Sequence, residues 1–83
     1  MSALTLLSRD GCGLCEEFLE AFAAACPDLL PRLLVADVDS RPGWAGRWGA
    51  LIPVLIDEDG TVICETFFDE TALRAALAEG AAR

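Results

Sequence analysis

Two apolar runs, residues 3–8 (ALTLLS) and 32–39 (RLLVADVD), stand either side of a helical pattern from Cys12 to Cys26. Strands joined through a helix pair in parallel, and such a crossover is right-handed. This unit sets the direction of the sheet. Within the helical stretch Phe18, Phe22 and Cys26 recur every four residues. Leu14, Cys15 and Leu19 lie on or beside that stripe, and Glu16, Glu17 and Glu20 take the wet side. Pro27 ends the helix, because proline has no N–H to continue it. The second run is nearly all apolar, which predicts a strand covered on both faces.

The rest of the chain divides by the same signals. Residues 40–50 (SRPGWAGRWGA) read as a short, poor helix, with Ser40 as N-cap, Pro42 near its start and Gly43, Gly46 and Gly49 weakening it. Residues 53–57 and 61–67 read as strands of a hairpin with Asp59-Gly60 at its tip. Residues 69–80 form a closing helix: Asp69 is placed to cap it, Leu73 and Leu77 face inward, and Gly80 falls past its end. The expected order is β-α-β-α-β-β-α, a four-stranded mixed α/β sheet with helices on its faces. Residues 1–83 make a single domain, since a chain of this size buries roughly 60–65% of its unfolded surface. Its 54% hydrophobic content supplies the core.

The net charge is −8, from 6 basic and 14 acidic residues, with no histidine. There is no lysine and the arginines are scattered, so nucleic acid and anionic membranes are not expected partners. The acidic balance reads as solubility. The start lacks a basic region ahead of its short apolar run, and no run reaches the ~18–20 apolar residues of a membrane span. The expected location is cytoplasmic. In a reducing compartment a C-x-x-C pair reads as catalytic or metal-binding.

Cys12 falls at the strand-to-helix turn and Cys15 one helical turn further in. The first turn of a helix presents unpaired N–H groups and the positive end of its dipole, and both stabilise a thiolate. Cys12 is the outer sulfur, expected to attack. Cys15 is the more covered one, expected to resolve a mixed disulfide. A structural zinc site needs four Cys or His ligands, which the separated Cys26 and Cys64 do not supply. These two read as small buried hydrophobes. No metal and no cofactor are expected.

Residues 6–15 (LLSRDGCGLC), 48–60 (WGALIPVLIDEDG) and 68–77 (FDETALRAAL) resemble the thioredoxin superfamily. The short N-terminus, starting directly with the active-site strand, is similar to glutaredoxins, and closest to a family of small bacterial glutaredoxin-like proteins. The likeness covers essentially the whole chain. It implies a thioredoxin-like fold, and a cis Pro53 set against the C-x-x-C, with Leu51 and Ile52 flanking a substrate groove. Arg9 stands in for the lysine that precedes the motif in that family. Three features depart from the family pattern. Gly13 and Leu14 replace the proline and aromatic of C-P-Y-C, no lysine precedes the motif, and Glu65-Thr66-Phe67-Phe68 stands where a Gly-Gly cradles glutathione. Glutathione is therefore not carried over to this chain.

The leading expectation is a monomeric thiol–disulfide oxidoreductase or electron carrier acting on a protein or low-molecular-weight disulfide. Two alternatives stand beside it. Gly13 resembles the glycine of the C-G-F-S monothiol glutaredoxins, which hold an iron–sulfur cluster. A redox-inert binding module would keep the fold alone. Trp44 and Trp48 read either as the border of the groove or as residues covering the sheet.

Overall fold

The computed structural model describes residues 3–82, with side chains through residue 79. Its elements are β1 (Leu4–Ser8), α1 (Gly13–Ala25), β2 (Leu33–Asp37), α2 (Pro42–Trp48), β3 (Val54–Ile56), β4 (Val62–Glu65) and α3 (Glu70–Ala82). Short segments of 3-10 helix, Pro27–Arg32 and Val38–Ser40, flank β2. The strands form one sheet in the order β2-β1-β3-β4. β1 and β2 are parallel, as the strand–helix–strand unit requires, and the other two pairings are antiparallel.

Strand alternation divides the apolar residues between two cores. Leu4 and Leu6 point to one face, where they meet Phe18 and Phe22 of α1, Leu55 of β3 and Leu73 of α3. Leu7 points to the other, with Val54, Ile56, Val38 and Trp48 of α2. Phe18 and Phe22 are essentially inaccessible, and each contributes about 1.5–3 kcal/mol by burial. Phe68 caps both edge-on, with ring centroids at 5.5 and 5.6 Å. Trp48 is buried and Trp44 packs beside it, so both tryptophans cover the sheet.

Several expectations are corrected. β2 is not covered on both faces: it is an edge strand, and Leu34 and Val35 are 62% and 47% exposed. The cores centre on β1 and β3, and an apolar run does not reveal its place in the strand order. β2 also stops at Asp37, after which the 3-10 turn drops Val38 into the second core. Ser40 does not cap α2. Its hydroxyl donates to the Asp37 carbonyl at 2.6 Å, and Arg41 takes the cap position without a side-chain bond. β4 ends at Glu65 and carries a bulge, which lets Ile63 and Cys64 both pack on the first core. α3 runs through Gly80 to Ala82, so Gly80 does not terminate it. Its cap is as expected: the Asp69 carboxylate accepts the Ala72 N–H at 3.0 Å. Among the described residues, no helix is long and apolar enough to cross a membrane.

Candidate functional site

After β1 the chain makes a tight turn in which the Cys12 N–H donates to the Arg9 carbonyl at 3.2 Å. Its third residue, Gly11, has φ +77°. A type II turn requires positive φ at that place, which glycine adopts without a steric cost. The turn delivers Cys12 to the N-cap of α1 in an extended conformation. There the Cys12 Sγ accepts the Cys15 N–H at 3.1 Å. Serine, threonine, aspartate and asparagine usually fill this position with an oxygen acceptor; here a sulfur does so. The two sulfurs are joined as a disulfide, with Cα atoms 5.2 Å apart. Cys15 is 5% exposed and Cys12 is only partly covered.

The disulfide faces a shallow depression of about 190 Å³ whose lining includes Ser8, Arg9, Asp10, Glu16 and Val35. Arg9 lines this depression, and its guanidinium is held by Asp39, with Nε–Oδ2 at 2.8 Å and Nη2–Oδ1 at 2.9 Å. These hydrogen bonds keep the Asp39 carboxyl below its ordinary range. A Cβ at Gly49 would meet the Ala45 carbonyl oxygen at 2.5 Å and Arg9 Nη2 at 3.4 Å, so the glycine leaves room for this arrangement. Nothing in the sequence marks Asp39. Its partner is 30 positions away, and no local pattern links them.

On the other side of the first turns of α1 lies a second depression, about 300 Å³, lined by Leu14, Glu17, Phe18, Ala21 and residues 66–68. The helical pattern puts Leu14 on or beside the buried stripe, but it is 40% exposed. Thr66 has φ +68°, and the Phe67 N–H donates back to the Glu65 carbonyl at 2.7 Å. That is a γ-turn around a β-branched residue in the left-handed region, a strained arrangement costing about 1–3 kcal/mol. It turns Phe67 outward, 70% exposed.

Leu51, Ile52 and Pro53 line neither depression. They lead into β3, whose register pairs Leu7 with Val54, so one further step brings Pro53 level with Ser8, just before the Cys12 turn. The Ile52–Pro53 bond is cis, as the resemblance implies. The Thr66 N–H donates to the Pro53 carbonyl at 2.7 Å, which ties this segment to the second depression. Leu51 is 40% exposed and Pro53 is buried.

The other two cysteines are free thiols. Cys26 is fully buried at the C-cap of α1, and desolvation pushes its thiol pKa up. Cys64 is partly covered on β4, and burial raises it too, against a backbone hydrogen bond from Asp69. Among the described residues, no three His, Cys, Asp or Glu side chains are grouped to hold a metal ion.

A mixed sheet of order β2-β1-β3-β4, a C-x-x-C opening its first helix and a cis proline entering β3 define a thioredoxin-like fold. The Glutaredoxin-like domain (DUF836) family model matches residues 3–78, and the chain belongs to that family. Protein XcR50 from X. campestris, known from an X-ray structure, is 34% identical, with a TM-score of 0.70 over 93% of this chain and 97% of that one. The solution structure of protein Ne2328 from Nitrosomonas europaea has a TM-score of 0.77 over 90% of this chain and 89% of that one. At 24% identity, that second likeness is one of fold. No curated protein matches the chain.

Proposed function

We propose that this protein is a thiol–disulfide oxidoreductase in which Cys12 attacks and Cys15 resolves. The observation that carries the reading is the N-cap sulfur: Cys12 Sγ accepts the Cys15 N–H at the start of α1, on the exposed side of the pair. The same N–H groups and helix dipole favour a thiolate there once the pair is reduced.

In the reductive direction the Cys12 thiolate attacks one sulfur of a substrate disulfide. That S–S bond breaks, and the second substrate sulfur leaves as a thiolate and takes up a proton. The Cys15 thiol then loses its proton and attacks Cys12 Sγ. This releases the first substrate sulfur as a thiol and forms the Cys12–Cys15 disulfide. Two electrons pass from the protein to the substrate, and an external dithiol reductant returns them. The substrate class is a disulfide on a protein or small molecule. The loop that stands in place of Gly-Gly carries Thr66 and an outward-turned Phe67 instead of two residues without side chains, so glutathione is a poor match.

The test is mass spectrometry of Cys15→Ser and Cys12→Ser proteins after exposure to a mixed disulfide. Cys15→Ser should accumulate a stable adduct on Cys12, having lost its way out. Cys12→Ser should form none. Adducts on Cys26 or Cys64, or equal adducts in both variants, would overturn the reading.

A further inference from the structure

Two exposed apolar side chains line the second depression: Leu14, which lies between the two cysteines and is 40% exposed, and Phe67, which is 70% exposed. Phe67 is turned outward by a backbone segment held in the left-handed region at Thr66. Strain of that kind persists where the surroundings enforce it, and it collects at ligand clamps. An exposed apolar pair with an apolar trough between its members is a contact surface awaiting a partner.

Charge defines that partner. Asp10, Glu16 and Glu17 are all exposed and line the two depressions. Among the described residues, none of these three carboxylates has an ion-pair or hydrogen-bond partner. Arg9 is the single cation among the described residues lining the two depressions, and Asp39 already holds it with two hydrogen bonds. The apolar trough is therefore framed by uncompensated negative charge.

Resting on the thiol-exchange reading above, we propose that this surface docks a cysteine-bearing polypeptide in which an apolar residue adjoins a basic one beside the disulfide. The apolar side chain enters between Leu14 and Phe67, the basic one meets Glu16 and Glu17, and the cysteine reaches Cys12 two residues from Leu14. Charge complementarity of this sort acts mainly on the rate of encounter and on the choice of partner. Anionic disulfides, glutathione disulfide with its γ-glutamyl and glycyl carboxylates among them, are repelled by the same frame.

The experiment uses the reduced protein and three peptide disulfides that differ only beside the cysteine: Arg-Leu-Cys, Glu-Leu-Cys and Arg-Ser-Cys. Glutathione disulfide is the fourth substrate. Each rate constant is divided by that for dithiothreitol with the same substrate, which removes the intrinsic effect of the neighbouring charge on the leaving thiol. The normalised rate should favour Arg-Leu-Cys over Glu-Leu-Cys by roughly tenfold or more at low ionic strength. The ratio should shrink towards one near 1 M salt, where screening reaches about 3 Å. The double variant E16Q/E17Q should narrow it at low salt. F67A should slow the two leucine peptides and leave Arg-Ser-Cys unchanged. Rapid exchange with equal normalised rates for Arg-Leu-Cys and Glu-Leu-Cys, or with glutathione disulfide as the best substrate, would overturn the docking inference and leave the exchange reading intact. Exchange with none of the four would overturn the exchange reading itself, and the docking inference with it.

Discussion

Cys12 opens α1 and Cys26 closes it, so one helix holds two cysteines in opposite settings. At its start the peptide N–H groups point outward, and one of them donates to the Cys12 sulfur. At its end the chain presents carbonyl oxygens, and the Cys26 N–H is spent on the Phe22 carbonyl at 2.8 Å. The dipole that favours a thiolate at the first site disfavours one at the second. Burial acts in the same direction: Cys26 has no exposed surface, its pKa is pushed up chiefly by desolvation, and the Glu70 carboxylate 4.0 Å away adds to the rise. Arg74 opposes that rise without being the largest influence. A cysteine count alone treats the two as equivalent. Their chemistry is decided by which end of the helix each one occupies and by what covers it.

The contrast breaks most readily from the core side. Phe22 packs with Cys26 in the first core, and Phe22→Ala should cost about 3–5 kcal/mol through lost burial and a cavity. Urea denaturation measures that loss. The same variant should speed labelling of Cys26 by a thiol reagent, because local opening becomes easier, and leave the rate at Cys12 unchanged. Equal acceleration at both sites would mean that α1 responds as one unit and that the contrast between its ends is not local.

A smaller effect is expected at the start of α3. Asp69 caps that helix, and its backbone also hydrogen-bonds the Cys64 thiol. Asp69→Ala should cost about 1 kcal/mol. Labelling of Cys64 should rise more than labelling of Cys26, which amide exchange and peptide mapping together would resolve.

How far these features can be read in the sequence follows from the range of the forces behind them. The strand–helix–strand unit, the Cys12 turn, the Phe18–Phe22–Cys26 stripe and the Asp69 cap are local patterns, and each is legible within a few residues. The exposed edge at Leu34 and Val35 is not. Hydropathy reports what a strand is made of, while its neighbours depend on the whole strand order. Thr66 is the sharpest miss, because a β-branched residue at positive φ runs against its own propensity, so nothing local announces the γ-turn. The Arg9–Asp39 pairing is equally silent, being made just beyond the ends of the parallel strands β1 and β2 by residues 30 positions apart. The residues of the Cys12 turn are thus readable, and the pairing that holds its arginine is not.

The least of the effects is in the pH dependence of stability. The folded-state pKa of Cys26 lies above its ordinary value. Keeping this thiol neutral therefore contributes stability that is whole below the ordinary thiol range and is lost as pH rises through the raised value. Urea unfolding followed from neutral to alkaline pH should show this decline in the wild type, and Cys26→Ala should flatten it. An unchanged alkaline slope would place Cys26 in a less desolvated setting than the fold gives it.

The central claim is that Cys12 and Cys15 form one two-electron unit while Cys26 and Cys64 stand outside it. Its most direct test is a redox titration of the wild-type protein, quenched by alkylation and read by mass at each cysteine. With the thiolate stabilised at a helix N-terminus, Cys12 and Cys15 should convert together at a potential of roughly −270 to −200 mV, the range of reducing proteins of this kind. Cys26 and Cys64 should stay reduced throughout and become fully labelled only on unfolding. Separate transitions for Cys12 and Cys15, or a transition that includes Cys26 or Cys64, would contradict the account.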